Sequence, residues 1–92
     1  MSHPLFDLTG RVALVTGGSK GLGKAMARGF AEAGAHLVIS SRHEDELRAA
    51  AREIGDGTTA QVHYFVADMT QRDQARELAV KALQAFGRID IL

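Results

Sequence analysis

The residues best suited to chemistry in this chain are Thr16-Gly17-Gly18-Ser19-Lys20-Gly21-Leu22-Gly23. Glycine leaves the main chain bare, so an anion can approach where a Cβ would hold it off, and glycine enters positive-φ turns without strain. Directly before this stretch stands the apolar, partly β-branched run Val12-Ala13-Leu14-Val15, which reads as a buried parallel strand. Directly after it a helical pattern begins, and a helix starting there offers unpaired N–H groups and the positive end of its dipole to the same anion. The outline is that of a nucleotide-phosphate site, with Gly17, Gly21 and Gly23 against a pyrophosphate. Glycine spacing alone would also fit a tight strand-to-helix turn. The strand before and the helix after are what favour the nucleotide. Ser19 either donates to a phosphate or shapes the turn.

Two other chemistries fit less well. Gly18-Ser19-Lys20-Gly21-Leu22-Gly23-Lys24-Ala25 nearly matches the phosphate loop of NTPases, and Tyr64-Phe65-Val66-Ala67-Asp68 mimics the apolar strand ending in aspartate. That motif places a hydroxyl after its lysine to ligate magnesium, and Ala25 has none. Metal binding has no support in the spacing of His3, His36, His43 and His63, so no metal ligands are assigned and surface or packing roles are the default.

The elements that must position the loop follow from periodicity. Arg11 to Thr16 is the first strand, and a helix from Gly21 to about Ala33 should turn Leu22, Ala25, Met26, Gly29, Phe30 and Ala33 inward, with Gly34 as a left-handed cap. His36 to Ser40 is the second strand. The next helix carries Leu47, Ala50, Ala51 and Ile54 on one face and closes at Gly55-Asp56-Gly57. Gln61 to Ala67 is the third strand, with Asp68 at its exit. A third helix from Gln71 to Phe86 should bury Ala75, Leu78, Ala79, Ala82, Leu83 and Phe86 and stop at Gly87. Arg88-Ile89-Asp90-Ile91-Leu92 begins a fourth strand. This alternation predicts an α/β fold, a Rossmann-type doubly wound parallel sheet with strand order 3-2-1-4, three helices and both faces covered.

Thr16-Gly17-x-x-x-Gly21-x-Gly23, with the lead-in Leu8-Thr9-Gly10-Arg11-Val12-Ala13-Leu14-Val15, resembles the dinucleotide signature of the classical short-chain dehydrogenases/reductases. The likeness continues through Asp68 to the last residue. It implies that residues 1–92 are the N-terminal part of one NAD(P)-binding Rossmann domain whose C-terminal catalytic part is absent. It implies an oxidoreductase moving a hydride between nicotinamide and a carbonyl or alcohol substrate, with Thr16, Gly17, Ser19, Lys20, Gly21, Leu22 and Gly23 at the cofactor. The family's catalytic serine, its tyrosine with a lysine four residues on, and its asparagine have no counterparts here. Tyr64 is the only tyrosine and is followed four residues later by Asp68, so the 92-residue chain alone is expected to be inactive. A non-catalytic dinucleotide-binding or sensor module is the alternative.

The cofactor is read at the exit of the second strand, where an acidic side chain accepts bonds from a free 2′-hydroxyl and repels a 2′-phosphate. The acid of the family would align with Ser41, which is uncharged, while Arg42 and Lys20 supply cations from two sides. The missing acid together with both cations favours NADP(H) over NAD(H). Ser41-x-x-Glu44 is also a capping box, and the two roles can coexist. Arg42 and Lys20 taken singly read equally as solvated cations. Asp68 resembles the family's adenine-contacting aspartate, acting with the N–H of Met69; alternatively it favours the start of the third helix, where Thr70-x-x-Asp73 forms a cap.

Eleven basic and eleven acidic residues give zero formal charge, with no block that would draw nucleic acid or an anionic membrane. There is no cysteine, no signal-like start and no apolar run long enough for a bilayer, so a cytoplasmic location is expected. The partners expected are a small-molecule carbonyl or alcohol and a second copy of the chain. Ile89, Ile91 and Leu92 form a short apolar edge that should make this chain self-associate or be marginally stable.

Overall fold

The computed structural model describes residues 7–19 and 21–90. Element order is β1 (Val12–Thr16), α1 (Gly21–Glu32), β2 (His36–Ser41), α2 (Glu44–Gly55), β3 (Val62–Val66) and α3 (Arg72–Phe86). The sheet runs β1-β2-β3 with every pair parallel. Val12 lies opposite His36 and Thr16 opposite Ser40, while Leu37 pairs with Val62 and Ser41 with Val66. Register therefore brings the C-terminal ends of all three strands to one edge, which is where an open α/β sheet forms its crevice.

The alternation along β2 divides the core. Leu37 and Ile39 join Ala13, Ala27 and Ala31 and the α2 residues Leu47, Ala50 and Ile54 on one face. Val38 joins Leu14, Ala67, Leu78 and Ala82 on the other, beneath α3. Both faces are thus covered, as a doubly wound sheet requires. β2 is central and fully buried from Leu37 through Ser40, in keeping with its continuous apolar run. Below α3, Phe86 stacks on His36 at 5.5 Å and meets His63 edge-on at 4.8 Å, so both histidines serve packing.

Three expectations are corrected. α1 has the predicted period but a different phase: Ala27 and Ala31 are buried, whereas Leu22 and Met26 are exposed. Two apolar stripes run along this helix, and the stripe of small residues is the one that allows close approach to the sheet. Leu83 on α3 is likewise exposed, and Leu78 and Ala82 form the buried pair. Arg88 to Asp90 form no ladder, but the Asp90 N–H donates to the Val12 carbonyl at 2.8 Å and its Oδ2 accepts from the Val12 N–H at 2.9 Å. The chain thus returns to the free edge of β1, where the fourth strand was expected. Ile91 and Leu92 lie outside the described residues.

The helix stops follow the glycines. Gly34 and Gly87 take φ of 101° and 79°, and the Gly87 N–H donates to the Leu83 carbonyl in a left-handed cap. The end of α2 is held differently, by the Arg28 guanidinium donating to the carbonyls of Glu53, Ile54 and Asp56.

Candidate functional site

The loop leaving β1 folds over the end of β2. The N–H groups of Gly17 and Gly18 both donate to the Ser40 carbonyl, at 2.8 and 3.2 Å. Gly17 and Gly21 sit at φ of 71° and 63° with open space where a Cβ would be, so the main chain there is uncovered. Gly23 has a separate reason. A Cβ on it would overlap the Gly17 carbonyl oxygen, so its absence lets the first turn of α1 pack on the loop. Gly18 is closed in by the Ile39 side chain, with a notional Cβ at 3.0 Å.

A cavity of about 410 Å³ opens beside this loop at the C-terminal edge of the sheet, within the size range of small-ligand pockets. Of the residues expected from sequence, it brings together Thr16, Gly17, Ser19, Ser41, Arg42, Asp68 and Met69. Gly21, Leu22 and Gly23 do not line it. Leu22 is 77% exposed and points away from the sheet, and Lys20 lies outside the described residues. Ser40, His43, Glu46 and Thr70 also line the cavity and were not assigned from sequence.

Ser41 is not a helix cap. α2 takes His43 as its N-cap, and the Ser41 Oγ accepts from the His43 N–H at 3.3 Å, so the capping box does not form. Nor does the cap expected at Thr70. α3 starts after Gln71, and Asp68 instead accepts from both the N–H and the hydroxyl of Thr70 through Oδ1, at 2.9 and 2.7 Å. These two bonds, with the nearby Arg42 charge, hold the Asp68 carboxyl below the usual carboxylate range. The Asp68 N–H donates to Gln74 Oε1 at 2.7 Å, which fixes the turn after β3.

The arrangement suits a dinucleotide in two respects. Bare main chain stands next to the start of a helix, where first-turn amides lack intrahelical acceptors. Ser41 and Arg42 place a hydroxyl and a guanidinium on the cavity wall where a carboxylate would refuse a ribose phosphate. Ser40 also lines the cavity, but its Oγ is buried and, among the described residues, has no hydrogen-bond partner, an unsatisfied atom that costs stability. Among the described residues, no group of three or more His, Asp or Glu side chains is placed to hold a metal ion.

A family model for short chain dehydrogenase matches residues 11–92. The chain belongs to the short chain dehydrogenase family. It is 41% identical over 88 residues to an uncharacterized oxidoreductase of Mycobacterium tuberculosis, an overlap covering 96% of this chain and 33% of that relative. It superposes on a metagenomic short-chain oxidoreductase in complex with NADP with a TM-score of 0.86 at 37% identity, covering 94% of this chain and 38% of the other. It superposes on L-sorbose reductase from Gluconobacter frateurii, complexed with NADPH and L-sorbose, with a TM-score of 0.88 at 33% identity, covering 92% and 32% respectively. The chain therefore spans about a third of the length of these relatives.

Proposed function

We propose that this chain is the cofactor-binding part of an NADP(H)-dependent oxidoreductase acting on a small carbonyl or alcohol compound. The observation that carries the reading is the cavity in which Arg42 and the uncharged Ser41, at the place of the family's acid, stand beside the glycine loop, on a lining that Glu46 and Asp68 share. Gly17 and Gly21 offer bare main chain to the pyrophosphate, and Ser19 lies at its side as a donor. The start of α1, where Leu22 and Gly23 lie, supplies first-turn amides. Ser41 and Arg42 hold the ribose 2′-phosphate, with Lys20 assigned beside them from sequence alone. Asp68 and the Met69 N–H meet the adenine edge. A neighbour solved with NADP and another solved with NADPH support the same preference.

A bound nicotinamide supplies or takes up the hydride. What these residues do is orient the adenosine half of that cofactor. Tyr64, the one tyrosine, lies within β3 with no lysine four residues on, so the 92-residue chain is assigned binding rather than turnover. Among the described residues no helix is long and apolar enough to cross a membrane. We assign the working protein to the cytoplasm, which its cysteine-free sequence suits, as a homo-oligomer.

A specific observation bears on the NTPase alternative. Lys24, which would have to reach a phosphate, is instead paired with Glu53 of α2. Calorimetric titration of the chain with NADP⁺, NAD⁺ and magnesium-ATP separates the readings. NADP⁺ should bind most tightly, by about tenfold or more over NAD⁺. Preferential binding of magnesium-ATP would overturn the assignment.

A further inference from the structure

The residue after Arg42 has no role in the reading above. His43 lines the same cavity as Ser41 and Arg42, yet its side chain makes no cap to the helix it precedes. Its backbone is fixed. At φ −117° and ψ 110° it occupies the N-cap of α2, its carbonyl accepts from the Leu47 N–H at 3.1 Å, and its N–H donates to the Ser41 Oγ at 3.3 Å. An exposed side chain therefore starts from a fixed backbone point on the cavity lining that Ser41 and Arg42 share.

We propose that His43 is a third recognition residue for the 2′-phosphate of NADP(H) and makes the preference over NAD(H) depend on pH. The inference rests on the dinucleotide reading and adds a residue and a regulation to it. The charged groups facing the cavity are Arg42 from the same loop, Glu46 from α2 and Asp68 from the turn after β3; Glu44 and Asp45 follow on the first turn of α2, and Lys20 lies outside the described residues. Among side chains, histidine is the one that can change charge within the physiological pH range. A phosphate monoester carries close to two negative charges, and a cation about 4 Å away is worth roughly tenfold in affinity even in a wet site. A protonated His43 therefore favours the phosphorylated ribose, and a neutral one leaves the task to Ser41 and Arg42. The phosphate itself gains a proton near pH 6, which acts in the opposite direction, so the imidazole must be isolated by substitution.

The test is calorimetric binding of NADP⁺ and of NAD⁺ to the 92-residue chain and to its His43→Asn and His43→Lys variants, at about pH 6 and about pH 8. In the unsubstituted chain the ratio of the two dissociation constants should favour NADP⁺ about fivefold more at the lower pH. His43→Asn should lose that gain, and His43→Lys should show the low-pH preference at both values. An NADP⁺ preference whose pH response is the same in His43→Asn would overturn this inference and leave the dinucleotide reading standing. No NADP⁺ binding by any of the three at either pH would overturn the dinucleotide reading and this inference with it.

Discussion

At Gly23 one missing methyl decides whether the glycine loop closes on the first turn of α1. Because a Cβ there would overlap the Gly17 carbonyl, Gly23→Ala must push α1 off the loop; it should weaken NADP⁺ binding at least about tenfold while the sheet persists, measured by calorimetry beside far-ultraviolet circular dichroism. Unchanged affinity would mean that the loop is not part of the site. Ser41 is the matching test of selectivity. Ser41→Asp places a carboxylate on the wall that Arg42 shares, so NADP⁺ should lose about tenfold or more and NAD⁺ should gain, read as the ratio of dissociation constants. The glycine spacing, the uncharged Ser41 and Asp68 were legible in the sequence because each occupies a fixed place relative to a strand end. His43, Glu46 and Thr70 were not, because their presence in the cavity depends on where α2 and α3 begin, one or two residues from where the capping patterns put them.

Among the helices, Arg28 ties α1 to the main chain at the end of α2, beside the Lys24–Glu53 pair between the same two helices. It donates to three carbonyls at the end of α2 and pairs with Glu32, so Arg28→Met should lower stability by about 1 to 3 kcal/mol in urea unfolding, the cost of leaving such acceptors without their charged donor. No sequence pattern announces this contact, since the partners are main-chain atoms 25 or more residues away. Helix periods were legible, and so were the glycine stops at Gly34 and Gly87. The phase of α1 was not, because Leu22 and Met26 satisfy the same spacing as Ala27 and Ala31, and only the closeness of helix to sheet decides between them. Acid sensitivity also belongs to these connections. Thr9 holds the Asp7 carboxyl down, Thr70 holds Asp68, and Arg88 with the Val12 N–H holds Asp90. Groups whose folded value is depressed contribute stability that is present above the unfolded value and is lost as pH falls through the folded one. Stability should therefore hold from neutral pH to about 5 and decline below about 4, and Asp90→Asn should be less stable at neutral pH with a shallower acid decline, followed by circular dichroism against pH.

For the molecule as a whole, the order of the first three strands, their parallel direction and the two-faced core follow from alternating apolar runs and helical stripes, and these were legible. What the sequence could not assign was which apolar side chains remain on the surface. Leu22 at 77% exposed and Met26 at 48% stand together on the outer side of α1, and Val80 and Leu83 are each 47% exposed on α3. Exposed apolar groups of this size favour association. The 92-residue chain should therefore sediment as an associating species, and Leu22→Ser with Met26→Ser should shift it toward monomer; a monodisperse monomer before substitution would contradict this. The central claim is that NADP(H) lies in the cavity between the glycine loop, the end of β2 and the turn after β3. The most direct measurement is an amide ¹⁵N–¹H titration of the chain with NADP⁺. Shifts confined to Thr16 through Ser19, Gly21 through Gly23, Ser41 through His43 and Ala67 through Thr70 are the result expected, whereas saturable shifts centred on Arg28, Glu32 and Thr58 at the opposite edge, or none at all, would contradict it.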